Sequence, residues 1–242
     1  MFWVNTFMSY SITWATGFDK EYYLYAFCQV KATWDLLPGD VKFYMDDDIE
    51  ELALDPRAVY SPIDLATCPD ILTQNEAKFW KKSRTIITAI RNSTSDYCIW
   101  LDADVQVLAI PDVTNLLPGP DQLISVNNKT HAPRIVQKGN NVFDTFLDTG
   151  FVAINLRHPD LESWLDCYEK FWYTDKMAQL RRKYDTYALE VIMAEHNYAW
   201  RNLWHGTNTS GKFYCGFEDS DLEKYFFHHW GRKQKNALFA GA

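Results

Sequence analysis

The sequence lacks the features that mark several protein classes. Its five cysteines, Cys28, Cys68, Cys98, Cys167 and Cys215, form no Cys-x-x-Cys pair, which excludes the paired-cysteine signature of zinc and redox motifs. Their odd number cannot close completely into bridges, so a reducing cytosol is the expected compartment. Long uninterrupted apolar runs are also missing. Residues 1–14 are apolar but lack a basic lead and are broken by Asn5, Ser9, Ser11 and Thr13. This excludes a good signal peptide or membrane anchor and suits a first core strand, so no membrane span is expected. Positive charge is in deficit, with 24 Lys and Arg against 32 Asp and Glu and a net charge of -8. That balance opposes nonspecific attraction to polyphosphate, although a local basic face is compatible with it. There is no internal repeat, long linker or low-complexity tract.

Apolar and aromatic residues are abundant. At 47% hydrophobic and 16% aromatic, the 242 residues supply a sizeable core, and the ten Trp and fourteen Tyr include rings suited to stacking on sugars or bases. Short apolar runs alternate with helical ones, the rhythm of an α/β protein with a largely parallel sheet. Strands are expected near residues 3–7, 41–45, 97–101, 123–126 and 151–156. Helices are expected over 21–36, 75–91, 161–173 and 187–195, with a short one between Pro111 and the Leu117-Pro118-Gly119-Pro120 cluster. In the 75–91 helix, Phe79, Ile86, Ile87 and Ile90 form the apolar face, which leaves Lys78, Lys81, Lys82, Arg84 and Arg91 for the wet side. One domain spanning residues 1–242 is the default at this length.

Asp102 and Asp104 follow the apolar run Tyr97-Cys98-Ile99-Trp100-Leu101. In an extended chain, two residues apart point the same way, so both carboxylates would face one site beyond the end of a buried strand. That is where open α/β sheets bind ligands. Carboxylate oxygens suit Mg²⁺ or Mn²⁺, which leave positions open for substrate phosphates. Two solvated turn aspartates would satisfy the same pattern. So, superficially, would the nucleophile strand of haloacid-dehalogenase-type phosphatases, but that motif normally opens the chain and Gln106 departs from it. Asp185 precedes a helical run, where an aspartate serves as a helix N-cap, an active-site acid or base, or both. Asp46, Asp47 and Asp48 read as a solvated turn.

Three ordered segments carry a family resemblance over about half the chain. Trp100-Leu101-Asp102-Ala103-Asp104-Val105, then Leu147-Asp148-Thr149-Gly150-Phe151-Val152-Ala153-Ile154-Asn155, then His228-His229-Trp230-Gly231 together resemble GT-A glycosyltransferases, particularly family 8 and its relatives. The basic helix before the Asp-x-Asp strand resembles theirs as well. The resemblance implies a single GT-A-type domain with a Rossmann-like, mostly parallel sheet flanked by helices. Residues 1–126 would mainly bind the nucleotide, and 127–242 would mainly hold the acceptor and close the metal site. Asp104 and His228 would hold Mn²⁺ or Mg²⁺, with Asp102 on the metal or the ribose and His229 the alternative to His228. Lys82 and Gly231 would meet the donor, with Lys233 or Lys235 balancing its diphosphate. The family's lysine, however, stands three residues after the glycine, where this chain has Gln234. Asp148 would lie beside the donor sugar, and Asp185 near the sugar or acceptor.

The expected activity is therefore metal-dependent transfer of a sugar from a nucleotide-sugar donor, a UDP-sugar favoured, to an acceptor hydroxyl. If the anomeric centre inverts, Asp185 would deprotonate the acceptor. If it is retained, as family 8 favours, Asp148 or the donor phosphate would assist. Residues 127–141 contain Lys129, His131, Arg134 and Lys138 and no acid. Cations that hold a phosphate backbone, beside aromatics that stack on exposed bases, make duplex DNA with hydroxymethylated pyrimidines one candidate acceptor, with Lys129, Arg134 and Lys138 as its contacts. A viral transferase acting in the host cytoplasm would fit. Glycans, protein tyrosines and small molecules are equally admissible acceptors, and a noncatalytic nucleotide-sugar or DNA-binding protein is the non-enzymatic alternative.

Overall fold

The computed structural model describes residues 10–129, 147–180, 183–206 and 216–229. The strand expected at residues 3–7 lies outside them, as do Arg134, Lys138, Gly231, Lys233 and Lys235. The first described strand is β1 (Ile12–Phe18), whose residues are buried except for the half-buried Gly17. The sequence reading missed it because Thr13 and Thr16 interrupt the apolar pattern. Both are buried, and Thr13 is paired through its hydroxyl to Ser93 and Ser95.

A helical segment follows: α1 (Lys20–Tyr22), a π-helical turn Tyr23–Phe27, α2 (Cys28–Val30) and a 3-10 stretch Lys31–Leu36. Asp19 caps it by accepting from the Tyr22 N–H at 2.8 Å. Strand β2 (Asp40–Met45), the short β3 (Ala58–Tyr60) and helix α3 (Gln74–Asn92) come next. Glu76 reaches back to the Thr73 N–H at 2.9 Å, which fixes the start of α3. Then come β4 (Tyr97–Leu101), β5 (Val105–Val107), a 3-10 turn at Val113–Asn115, β6 (Ile124–Asn128) and β7 (Leu147–Asn155). The described chain ends with α4 (Leu161–Phe171), α5 (Asp175–Gln179), α6 (Asp185–His196), β8 (Trp200–Asn202) and β9 (Phe226–His228).

Seven strands form one sheet in the order β3-β2-β1-β4-β7-β6-β8. Pairing is parallel except at β7, which runs antiparallel to both β4 and β6. The division expected at residues 126/127 falls inside β6, at a register shift between Val126 and Asn127.

Strand β4 is central and buried on both faces, as its unbroken apolar run requires. Its period of two divides the core. Cys98 and Trp100 join Ile86, Ile87, Trp164 and Tyr187 from α3, α4 and α6 on one face. Tyr97, Ile99 and Leu101 join Phe27, Trp34 and Phe226 on the other. The sheet edge beyond Leu101 is thereby held rigidly from both sides.

Gly39 closes the Leu37-Pro38-Gly39-Asp40 turn at φ +98°, and an added Cβ would stand 2.7 Å from the Ile12 carbonyl oxygen. Gly39→Ala is expected to lower stability by about 1–2 kcal/mol, the left-handed backbone cost alone. A urea unfolding midpoint equal to wild type would contradict this.

Candidate functional site

The site begins where β4 ends. The Asp102 N–H donates to the Gly150 carbonyl at 3.0 Å, and the Val105 N–H donates to the Asp102 carbonyl at 2.9 Å, closing a tight turn before β5. This turn, rather than the extended chain expected from the spacing, brings the two carboxylates together. Two side chains then fix them. The Trp100 indole donates to Asp102 Oδ1 at 2.8 Å, and the Tyr22 hydroxyl donates to Asp104 Oδ2 at 2.9 Å.

His228 arrives from the far end of the sequence. Strand β9 pairs antiparallel with β5, setting His228 opposite Val105, and the His229 N–H donates to the Asp104 carbonyl at 3.1 Å. The alternation of β9 turns His228 inward and leaves Phe227 exposed. His228 Nε2 lies 3.2 Å from Asp104 Oδ1 and 3.9 Å from Asp102 Oδ2, while its Nδ1 lies 3.6 Å from Asp148 Oδ1. The His229 ring instead faces Gln106 Oε1 at 3.1 Å. Of the two candidate histidines, His228 is the one at the aspartates.

Asp102, Asp104 and His228 each offer one ligand atom, all within 4.8 Å of one another. Two carboxylate oxygens and an imidazole nitrogen suit Mn²⁺ or Mg²⁺, and three protein ligands leave coordination positions for water and phosphate. The donor set fits such a cation.

Lys82 was expected on the wet face of its helix, and the structure corrects this. Its ammonium is largely buried, 2.7 Å from Asp102 Oδ1 and 2.9 Å from Asp185 Oδ2, and it donates to the Thr149 carbonyl and hydroxyl at 3.1 Å. Two counter-charges draw it inward. Asp185 is likewise not the N-cap of α6. Tyr184 occupies that position without a capping side chain, and Asp185, 1% exposed, accepts from the Thr149 hydroxyl at 2.6 Å. Asp46 is more than a solvated turn residue, since it pairs with Lys81 and accepts from the Ile63 N–H at 2.7 Å. Lys129 follows the last residue of β6, near Asp148, and its charge helps hold the Asp148 carboxyl low.

Among the described residues, Lys82 and His228 lie at ion-pair distance from the carboxylates Asp102, Asp104, Asp148 and Asp185, and Lys129 adds its charge near Asp148. Burial would lower the Lys82 and His228 values, but the facing carboxylates overcome it and raise both above their ordinary ranges. Burial raises the Asp102 carboxyl, with Lys82 opposing. For Asp148 burial pushes upward too, but His228 and the Gly150 N–H outweigh it, and its carboxyl sits below the usual range. Burial and the neighbouring Asp104 and Asp102 carboxylates raise the Tyr22 phenol, so it stays a neutral donor.

Tyr22 and Thr149 were not singled out from the sequence. Neither stands at a spacing that announces it, and only the folded arrangement brings them to the aspartates.

No protein-family model matches this sequence, and no curated protein is significantly similar to it. Solved structures resemble it in fold. A glycosyltransferase involved in the glycosylation of the major capsid of PBCV-1 superposes with a TM-score of 0.54 at 15% identity, covering 95% of this chain and 99% of that one. The galactosyltransferase LgtC, solved with donor and acceptor sugar analogues, gives 0.50 at 14% identity over 95% of both chains. The glycosyltransferase GlyE of Streptococcus pneumoniae TIGR4 gives 0.50 at 14% identity, over 81% of this chain and 45% of that one. The fold is of the GT-A type.

The raised His228 value makes a pH prediction. Its folded pKa exceeds the ordinary one, so in cation-free protein the imidazolium contributes stability that is complete below about pH 6.5 and is lost as pH rises through the folded value. In EDTA, wild type should therefore exceed His228→Gln in urea midpoint at about pH 6, with the gap shrinking toward about pH 9. A constant gap would show that the charge contributes nothing.

Proposed function

We propose that the chain is a metal-dependent glycosyltransferase that moves a sugar from a nucleotide-sugar donor, a UDP-sugar first among candidates, to an acceptor hydroxyl. The observation that carries this reading is the Asp102-Asp104-His228 cluster at the carboxyl end of β4 in a GT-A-type sheet. A divalent ion bound there would neutralise the negative charge that gathers on the leaving diphosphate as the bond to the sugar breaks. Likeness of fold to glycosyltransferases supports the reading over the phosphatase alternative.

The residues take the following parts. Asp102, Asp104 and His228 hold the ion. Tyr22 and Trp100 keep the two carboxylates oriented, so that no reorganisation is needed when the donor arrives. Lys82 would serve the donor from beside Asp102. Because its protons are directed to Asp102, Asp185 and Thr149, it acts on the donor mainly through its field and through the placement of Asp102. Gly231 with Lys233 or Lys235 would flank the diphosphate.

Asp185 is buried and paired with Lys82, a poor position from which to take a proton from an acceptor. Retention of the anomeric centre, with the donor phosphate receiving that proton, is the better-supported course. Lys129 neighbours Asp148 and would serve the cleft, with Arg134 and Lys138 completing a basic acceptor wall. Hydroxymethylated duplex DNA is one acceptor such a wall would suit, alongside glycans, proteins and small molecules. Among the described residues no helix is long and apolar enough to cross a membrane, and Cys28, Cys68, Cys98 and Cys167 are free thiols, as a reducing cytosol would keep them.

The deciding assay needs no acceptor. With Mn²⁺ and a panel of nucleotide sugars, wild type should slowly hydrolyse at least one donor, and EDTA should stop it. A noncatalytic binding protein would retain a donor without turnover. Asp104→Asn preserves size but removes an anionic ligand, and activity should fall at least about 100-fold, in keeping with the loss of a preorganised electrostatic group. Unchanged turnover in that variant would sink the assignment. His228→Ala should weaken Mn²⁺ binding more than His229→Ala, and the reverse ranking would reassign the ligand.

A further inference from the structure

We propose that Asp148 is a positioning residue for His228, holding the imidazole so that Nε2 faces the cation site, rather than a group that reacts with the sugar. The proposal rests on the metal-dependent reading above and assigns Asp148 a specific part within it.

Three observations converge on this role. The first is the direction of the ring. Nε2 faces the Asp102 and Asp104 oxygens, and Nδ1 faces Asp148 Oδ1 at 3.6 Å. Among the described residues buried Nδ1 makes no hydrogen bond, and the Asp148 carboxylate, at ion-pair distance, is the acceptor it faces. An imidazole binds a metal through a nitrogen that carries no proton, so the remaining proton must sit on Nδ1 and needs an acceptor there. Asp148 supplies it.

The second observation is that Asp148 is itself held. The same Oδ1 accepts the Gly150 N–H at 2.8 Å, and Asp148 sits within β7, in register with Asn127 of β6. A carboxylate anchored by a strand's own backbone is better suited to orient a neighbour than to swing toward a substrate.

The third is the space that the ring needs. A Cβ on Gly150 would lie 2.6 Å from His228 Cε1, 2.7 Å from Nδ1 and 3.0 Å from Asp148 Oδ1. The ring therefore packs directly on the backbone at Gly150, with Phe217 stacked at 5.4 Å between centroids. Asp148 and Gly150, two residues apart, work as one unit: one accepts the proton and the other makes room for the ring.

The test is Mn²⁺ uptake, read from the electron paramagnetic resonance of the free ion with UDP present. The proteins are wild type, Asp148→Asn, Asp148→Leu, His228→Ala and the Asp148→Leu, His228→Ala double variant. Asp148→Leu should weaken uptake by about 10–100-fold, the usual effect of losing a carboxylate behind a ligating histidine. Asp148→Asn should retain most of the affinity, because its carbonyl oxygen can accept the same two N–H groups. In the His228→Ala background, Asp148→Leu should cost nothing further, since a residue that acts only through His228 has nothing left to position.

Equal losses from Asp148→Leu in both backgrounds, no loss in either, or an Asn variant as weak as the Leu variant would overturn the proposal. If the Leu variant does not fold, the Asn variant decides alone: uptake as poor as that of His228→Ala overturns the proposal, and near-wild-type uptake sustains it. Failure of wild type itself to take up Mn²⁺ is a different result, which brings down the metal-dependent reading and this proposal with it.

Discussion

The ammonium of Lys82, enclosed between Asp102 and Asp185, is the interaction on which the rest of the site depends. It ties α3 to the end of β4 and to the first turn of α6, and through Thr149 to β7. A charge held this far from water is tolerated only with its partners in place, and removing one partner of such a set strands the others at a cost of about 3–5 kcal/mol. The network is thus a constraint as much as a contact. It obliges two helices and two strands to meet at one point, and that point adjoins the carboxylates that face His228.

The cluster of Asp102, Asp104 and His228 uses a second, independent device. Strands β5 and β9 are three residues each, too short to be stable alone, yet their register sets His228 opposite Val105 and next to Asp104. Residues separated by more than a hundred positions are brought together by three pairs of aligned backbone groups and by Phe226 buried against Trp14 and Phe151. The carboxylates gathered by this convergence repel one another, a cost that a divalent ion bound as proposed would offset. The raised His228 and depressed Asp148 values are the electrostatic trace of this convergence.

Much of this was legible before folding was considered. The strand Tyr97–Leu101, the helix Gln74–Asn92 and the strand Asp40–Met45 follow from apolar periodicity and turn residues, because burial on one or both faces leaves a local pattern. The motif residues Asp102, Asp104 and His228 were nameable as a set because their order along the chain resembles that of GT-A glycosyltransferases. Where the pattern was broken by polar residues, it misled. Strand β7 begins at Leu147, four residues before the expected start, because Asp148 and Thr149 have partners in the site, and β1 was hidden by its buried threonines.

By itself, then, the sequence determined the class of fold and the strand that ends at the aspartates, since each depends on composition and short-range periodicity, while the candidate ligands Asp102, Asp104 and His228 came from motif order. The tertiary structure decided the rest. It chose His228 over His229, turned Lys82 from solvent to the interior, removed Asp185 from its capping role and added Tyr22, Trp100 and Thr149 to the cluster. The physical reason is common to all of them. A charged or hydroxyl side chain goes where its counter-charge or hydrogen-bond partner is, and those partners lie tens of residues away in the chain, where no local spacing records them.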